Sequence, residues 1–417
     1  MDEQSTFNAA LPGGQTFDQL MVPTDARELT LVLVAGEHSG DALGAKLMAA
    51  IRARRQGRVR FLGVGGALME AEGLVSHFPL SDVAVMGPLS ILARLPRIVR
   101  RVYQTVDATL ATQPDALIII DSPEFTHPIA KRVRQRQPSI PIIDYVSPTV
   151  WAWRPGRAAK MTSYIDHVLA LLPFEPAAHA RLGGPDCSYV GHPLIERLDW
   201  IGGLDTRPLT DRLALDPSRM PLVVLPGSRA SEVERLMGVF GETLAQLEAG
   251  GTKVEVLIPA VPHLKDKIER EAKKWPTRVH LVEGEEDKFR SFKIARAALA
   301  ASGTVTLELA ITGTPMVVAY RVDALAAQLQ FLVKVPSFVL ANLVLEDQVF
   351  PEFMQDRCRA DLMAEALQKV LADTPARARQ LEGLRRIATQ MALPGGRPSD
   401  EASRIVLRYA DGGRPEA

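Results

Sequence analysis

Short runs of aliphatic residues alternate with longer stretches in which apolar and polar positions recur at helical spacing, and this alternation persists through most of the 417 residues. Brief apolar runs bounded by Gly, Pro or Ser fit strands buried on both faces, and the amphipathic stretches between them fit crossover helices. The pattern predicts βαβ units wound into parallel sheets. A first series of strands is expected at 29–35, 60–64, 116–120, 141–146 and 167–172. A second is expected at 221–228, 254–259, 278–284, 297–302 and 315–321.

Between the two series lies 193–220, which contains Gly202-Gly203, Pro208 and Pro217 and no strong strand, so it reads as a linker. The economical architecture is two similar α/β lobes joined near residue 200, with ligands at the carboxyl ends of the strands and a cleft between the lobes. The expected division is a flexible tail at 1–28, a first lobe at 29–200, a second at 201–395 and a final helix at 396–417. Pro394-Gly395-Gly396 sets that helix off, Ser399 or Asp400 can cap it, and it can fold back on either lobe.

Composition narrows the function. With 47% hydrophobic and 24% charged residues the chain is ordinary globular material, not a disordered or coiled-coil sequence. Its 49 basic and 49 acidic residues cancel, so no global field draws it to nucleic acid. Two cysteines, Cys187 and Cys358, cannot build a disulfide framework, and the eight histidines show no i, i+4 pairing. Neither a metal nor an organic cofactor is expected. No apolar run approaches the length of a membrane span and residues 1–28 lack the pattern of a secretory signal, which points to the cytosol or the cytosolic surface of a membrane.

Five loops can carry chemistry. Gly36-Glu37-His38-Ser39-Gly40-Asp41 follows the first strand and opens a helix, where Ser39 or Asp41 can act as a cap and the same residues can accept protons from a sugar-like acceptor. Two carboxylates there would repel a pyrophosphate, so it is not read as a dinucleotide site. Asp121 stands at the end of a buried strand before Ser122-Pro123; proline disfavours helix at the preceding residue, so an extended turn is expected to present Asp121 as a general base. Trp151 and Trp153 lie two apart beside Arg154, a spacing that puts both on one side of an extended segment, as packing or as a sugar or acyl platform.

The other two loops belong to the second series. Gly227, Ser228 and Arg229 end a strand before a helix near Ser231, with main-chain N–H groups and a guanidinium suited to a diphosphate. The GxxxxGK[ST] spacing of a P-loop is missing. Ser302, Gly303 and Thr304 repeat this strand-to-helix turn, and Glu308 follows one helical turn on, where a carboxylate can accept the hydroxyls of a ribose. Two such turns in one lobe suggest a nucleotide diphosphate.

One segment speaks to a membrane. In 83–103 the aliphatics Val85, Met86, Leu89, Ile91 and Leu92 mix with Arg94, Arg97, Arg100 and Arg101, and 90–160 carries a net charge of +6. Apolar residues beside arginines suit anionic lipid, although a solvated basic face over a core explains them equally well. A second candidate is 324–345.

GEHSGD at 36–41, IDSPEF at 120–125, VSPTVWAWR at 146–154, LPFE at 172–175, GHP at 191–193, LPGSR at 225–229 and ASGTVTLE at 301–308 occur in this order. Together they resemble the lipid-A-disaccharide synthase family across about 30–410. The resemblance implies a GT-B glycosyltransferase fold, two Rossmann-like α/β lobes facing a central cleft. It also implies an inverting, metal-independent transfer from UDP-2,3-diacylglucosamine to the 6-hydroxyl of 2,3-diacylglucosamine 1-phosphate at the cytosolic face of the inner membrane. Asp121 then matches the general base, Glu37 is a second catalytic candidate on a position near the substrates, and Arg229 matches the arginine that meets the diphosphate. Ser302, Gly303, Thr304 and Glu308 match the nucleotide turn, and Ser39, Trp151 and Asn342 fall near substrate. The chain departs from the family pattern at Ser122, Glu124, Ala341 and Asp347-Gln348. A homodimer is left open. The rival readings are a UDP-sugar 2-epimerase of the same fold and a nucleotide-binding protein of the membrane surface without turnover.

Overall fold

A computed structural model describes residues 27–84, 88–322, 335–393 and 396–412, with the backbone alone described over 88–93. The ten expected strands are present as β1 (Leu29–Ala35), β2 (Val59–Val64), β4 (Ala116–Ile120), β5 (Ile142–Tyr145), β6 (His167–Ala170), β8 (Met220–Leu225), β9 (Val254–Pro259), β10 (Val279–Val282), β11 (Ala297–Ala301) and β12 (Met316–Tyr320). Three more lack the aliphatic signature: β3 (Leu74–Ser76), β7 (Asp186–Tyr189) and β13 (Glu352–Met354).

The first sheet has the order β3-β2-β1-β4-β5-β6-β7 and the second β10-β9-β8-β11-β12-β13. Every pairing described is parallel, with Ala35 opposite Ile120 and Leu225 opposite Ala300. Parallel strands need covered faces, which is why β4 reads Ala-Leu-Ile-Ile-Ile with all five residues buried. Each isoleucine removed from water there contributes about 1.5–3 kcal/mol. Strand order reverses between β1 and β4 in one sheet and between β8 and β11 in the other. At such a reversal the loops leaving two adjacent strands run to opposite faces and open a crevice. The loops after these four strands are 36–41, 121–125, 226–229 and 302–304.

The sheets change over between Tyr189 and Met220, but the chain divides into compact units elsewhere: Met1–Ile143 with Ser403–Ala417, and Asp144–Ala402. The final helix, Pro398–Gly412, is shared between them. The stretch 193–220 is no bare linker. It forms the helices Leu198–Gly203 and Arg207–Leu213, and Ile201, Leu204 and Leu209 pack with Leu172, Val223, Leu225 and Phe289 in the core of the second unit. Gly202-Gly203 ends one helix and Pro208 opens the next, so residues that look like breakers mark boundaries. The expected tail lies outside the described residues apart from 27–28.

Candidate active site

In the first unit, the loops after β1 and β4 meet. The helix His38–Arg54 begins directly after Glu37, and Ser39 Oγ donates to Asp121 Oδ2 at 3.0 Å. Asp121 Oδ1 accepts from the main-chain N–H of Ser122 at 2.7 Å, so both oxygens are oriented. Asp121 is not on an extended turn as expected: it and Ser122 are both left-handed, with φ of 54° and 45°. Proline at 123 starts the helix Pro123–Arg136, and the chain reaches it through two strained residues. Such strain persists only where the surroundings over-determine it, and Gly36 is part of that determination. A Cβ on Gly36 would sit 2.5 Å from the Cβ of Ser122.

Glu37 and Ser39 are exposed, while Asp41 is buried and serves a different purpose. It caps the neighbouring helix Ala67–Ala71, accepting from the N–H groups of Gly66 (2.8 Å), Leu68 (3.2 Å) and Met69 (3.0 Å).

In the second unit, the loops after β8 and β11 border a cavity of about 390 Å³ lined by Gly227, Ser228, Arg229, Ser302, Gly303, Thr304 and Glu308, among others. All seven expected nucleotide residues therefore share one cavity. Two neighbours had no sequence signal strong enough to assign them. Glu232, nearly buried, holds the turn: Oε2 accepts from the N–H groups of Ser228 (3.0 Å) and Arg229 (3.2 Å), and Oε1 from the Arg229 guanidinium (2.9 Å) and the Tyr320 hydroxyl (3.3 Å). Gly227 has φ of 114°, and a Cβ there would strike the Glu232 side chain at 2.5 Å. The amides of 228 and 229 thus belong to Glu232, and the exposed Arg229 side chain, paired to Glu232 at one edge, is the cation that this loop presents to the cavity. Lys288 grips both oxygens of Glu308 at 2.9 and 3.0 Å. Ser302 Oγ donates to the Phe338 carbonyl at 2.5 Å and so anchors the following loop.

A larger cavity of about 590 Å³, also within the second unit, is lined by Trp151, Phe174, Asn342 and their neighbours. The two tryptophans do not share a face. Thr149 O accepts from the N–H groups of Ala152 and Trp153, which winds the segment into a turn. Trp151 packs edge-on against Phe174 at 5.1 Å, and Arg154 covers the Trp153 ring at 4.9 Å. Asn342 is buried, and its amide is spent on the loop around it: Nδ2 donates to Phe350 O (2.9 Å) and Ser337 Oγ (3.2 Å), and Oδ1 accepts from the N–H groups of Val349 and Phe350. It lines the cavity wall with its amide committed to the surrounding loop.

Of the residues expected to face a membrane, Val85 and Met86 lie outside the described residues, as do the side chains of Leu89, Ile91 and Leu92. Arg94 donates to Ser81 O at 3.3 Å and Arg97 sits 3.8 Å from Asp82. The second candidate, 324–345, falls partly outside the described residues, and its end is corrected: Ala341 to Leu345 are buried in the core of the second unit. Among the described residues no helix is long and apolar enough to cross a membrane, and no group of three His, Cys, Asp or Glu side chains could hold a metal ion.

Solved structures of like fold include a putative UDP-N-acetylglucosamine 2-epimerase from Listeria monocytogenes (TM-score 0.59, 13% identity, covering 93% of this chain and 96% of that one). Another is MurG of Acinetobacter baumannii (TM-score 0.54, 14% identity, 92% and 99%). At such identities the likeness establishes the fold alone, the two-sheet GT-B arrangement of glycosyltransferases and epimerases. Sequence goes further. The lipid-A-disaccharide synthase of Rhodopseudomonas palustris strain HaA2 is 52% identical over 379 residues, 90% of this chain and 95% of that protein. That of Paramagnetospirillum magneticum is 40% identical over 391 residues, 93% and 99%. The family described as lipid-A-disaccharide synthetase matches residues 31–394, which takes in all four crevice loops. The chain belongs to the lipid-A-disaccharide synthase family.

Proposed function

We propose that the protein transfers the sugar of UDP-2,3-diacylglucosamine to the 6-hydroxyl of 2,3-diacylglucosamine 1-phosphate, giving a β-1,6-linked disaccharide 1-phosphate and UDP. The observation that carries this reading is the cavity at the β8/β11 reversal, where Arg229, the Ser302–Thr304 turn and Glu308 line one space. It accommodates a nucleotide diphosphate, with Glu308 toward the ribose and Arg229 toward the phosphates.

In this mechanism the acceptor hydroxyl loses its proton to the Asp121 carboxylate as its oxygen bonds to the anomeric carbon. The bond from that carbon to the β-phosphate oxygen breaks on the opposite face, its electron pair leaves with UDP, and the centre inverts. Arg229 neutralises the charge that gathers on the departing diphosphate. Ser39 and the Ser122 amide orient the base, and Glu37 flanks the acceptor.

Substrates of this kind are held in lipid, and the helix Pro88–Thr112 suits a membrane surface. Leu95, Val99 and Tyr103 recur every fourth residue and are all exposed, with Arg94 and Arg97 beside them. Peripheral attachment to the anionic cytosolic face of the inner membrane follows, and co-sedimentation with phosphatidylglycerol vesicles but not with phosphatidylcholine vesicles tests it.

The decisive experiment incubates purified protein with both substrates and weighs the product by mass spectrometry. Asp121→Ala should lower kcat by about 10²-fold or more while UDP still binds; wild-type turnover in that variant removes Asp121 from the mechanism. Arg229→Ala should weaken UDP binding in calorimetry, and unchanged affinity would remove Arg229. Release of a free 2-epimer without acceptor would favour the epimerase reading.

A further inference from the structure

The larger cavity of the second unit has no role in the mechanism above, and neither has the buried group behind it. Glu175 opens the helix Glu175–Arg181 and is 3% exposed. Its Oε1 accepts from Trp151 Nε1 at 3.1 Å, and its Oε2 from the N–H groups of Leu171 and Leu172 at 3.1 and 2.9 Å. Three donors from two segments therefore converge on one carboxylate. A buried carboxylate is costly unless such partners are supplied, and a tryptophan packed by apolar contact alone would need none of this. What the arrangement adds is direction: the indole ring, packed edge-on with Phe174, stands in the wall of the cavity.

The cavity walls suit an aliphatic guest. Trp151, Phe174, Ala178, Val335 and Leu343 supply apolar surface, with Arg181 and Glu346 among the polar residues that line it. One short segment links the cavity to the smaller one. Its wall at Val335–Ser337 runs into Phe338, whose carbonyl is held by Ser302, a residue lining the smaller cavity.

We propose that this cavity receives an acyl chain of the UDP-sugar donor and that Glu175 is a positioning residue, setting the Trp151 ring against that chain. The proposal rests on the donor named above and concerns binding, so it is judged without turnover.

The test measures affinity for UDP and for UDP-2,3-diacylglucosamine side by side. Wild type should bind the acylated donor at least about tenfold more tightly than UDP. Glu175→Gln keeps the shape but turns an amide N–H toward the indole N–H, and Trp151→Phe keeps an aromatic ring without the donor. Each should weaken the acylated donor about tenfold and leave UDP within about twofold. The double variant should be no worse than the poorer single, because both cut the same link. Ala177→Trp, at an exposed position on the rim, fills the cavity without touching the core and should give the same selective loss. Equal affinity of wild type for the two ligands, unchanged acyl-donor affinity in the variants, or an equal loss for UDP would each overturn the proposal. Failure to form disaccharide while selective binding persists would overturn the reaction instead.

Discussion

Glu175 makes the stability of the folded chain depend on pH. Burial raises its pKa from the ordinary 4.5 to about 7, against the opposing pull of its hydrogen bonds from Leu172, Trp151, Leu171 and Ser147. The unfolded chain therefore ionises first as pH rises. The full stabilisation relative to the ionised state is present below 4.5 and is lost as pH climbs through 7. Each tenfold difference in proton affinity between the folded and unfolded chain is worth about 1.4 kcal/mol, so between pH 5 and pH 8 the loss from this group alone is on the order of 2–3 kcal/mol.

Glu175→Gln removes the titration. It also leaves one of three donors facing an amide N–H, a constant penalty of about 1–3 kcal/mol. The variant should be less stable than wild type at pH 5 and close to it, or above it, at pH 8. For a unit of this size the relative change corresponds to about 5–10 °C in thermal midpoint. His192 titrates in the same range with the opposite sign: burial pushes it down to about 4, and its neutral ring accepts from the Leu194 N–H. That contribution is common to both proteins and cancels in the difference. Urea titrations at pH 5, 6, 7 and 8, followed by tryptophan fluorescence, read the result. A difference between the two proteins that stays constant within about 0.5 kcal/mol across the series would refute the linkage.

The site geometry sets two more outcomes. Gly36→Ala must displace the Ser122 turn and with it Asp121, so kcat should fall by about tenfold or more and stability by about 1–3 kcal/mol, while UDP affinity is unaltered; crystallographic or kinetic evidence of an unmoved, fully active Asp121 would contradict it. Lys288→Met should release Glu308 and weaken UDP binding by about 3- to 10-fold with little change in kcat for saturating donor, since Lys288 holds both oxygens of the carboxylate proposed to meet the ribose; equal UDP affinity measured by calorimetry would show that Glu308 needs no such support.

Much of the fold is legible because strands of a parallel sheet are buried on both faces and advertise themselves as aliphatic runs. The three strands without that signature, β3, β7 and β13, all stand at the outer edge of a sheet. There one side has no neighbour, three or four residues suffice, and polar side chains are tolerated: β7 reads Asp-Cys-Ser-Tyr, and Val75 of β3 is exposed. The candidate site is legible at its loops, because Gly, Ser and charged residues just after an aliphatic run have few other reasons to be there. What the sequence hides is partnership. Glu232 looks like an ordinary first-turn acid, yet it occupies the amides that the loop's spacing offers to a phosphate. Lys288 comes from a charged helix with no motif and reaches Glu308 only because strand order brings the helix there. The left-handed pair at 121–122 is likewise invisible, since proline excludes one backbone region without choosing among the others.

The six residues 36–41 show how unevenly a signature can distribute its duties. Glu37 and Ser39 look outward, whereas Asp41 is committed to sewing an adjacent helix into place through three amides. A tightly constrained motif can therefore be half chemistry and half carpentry, and damage to its two halves takes different forms: idle protein that accumulates normally, or protein that is cleared before it can work.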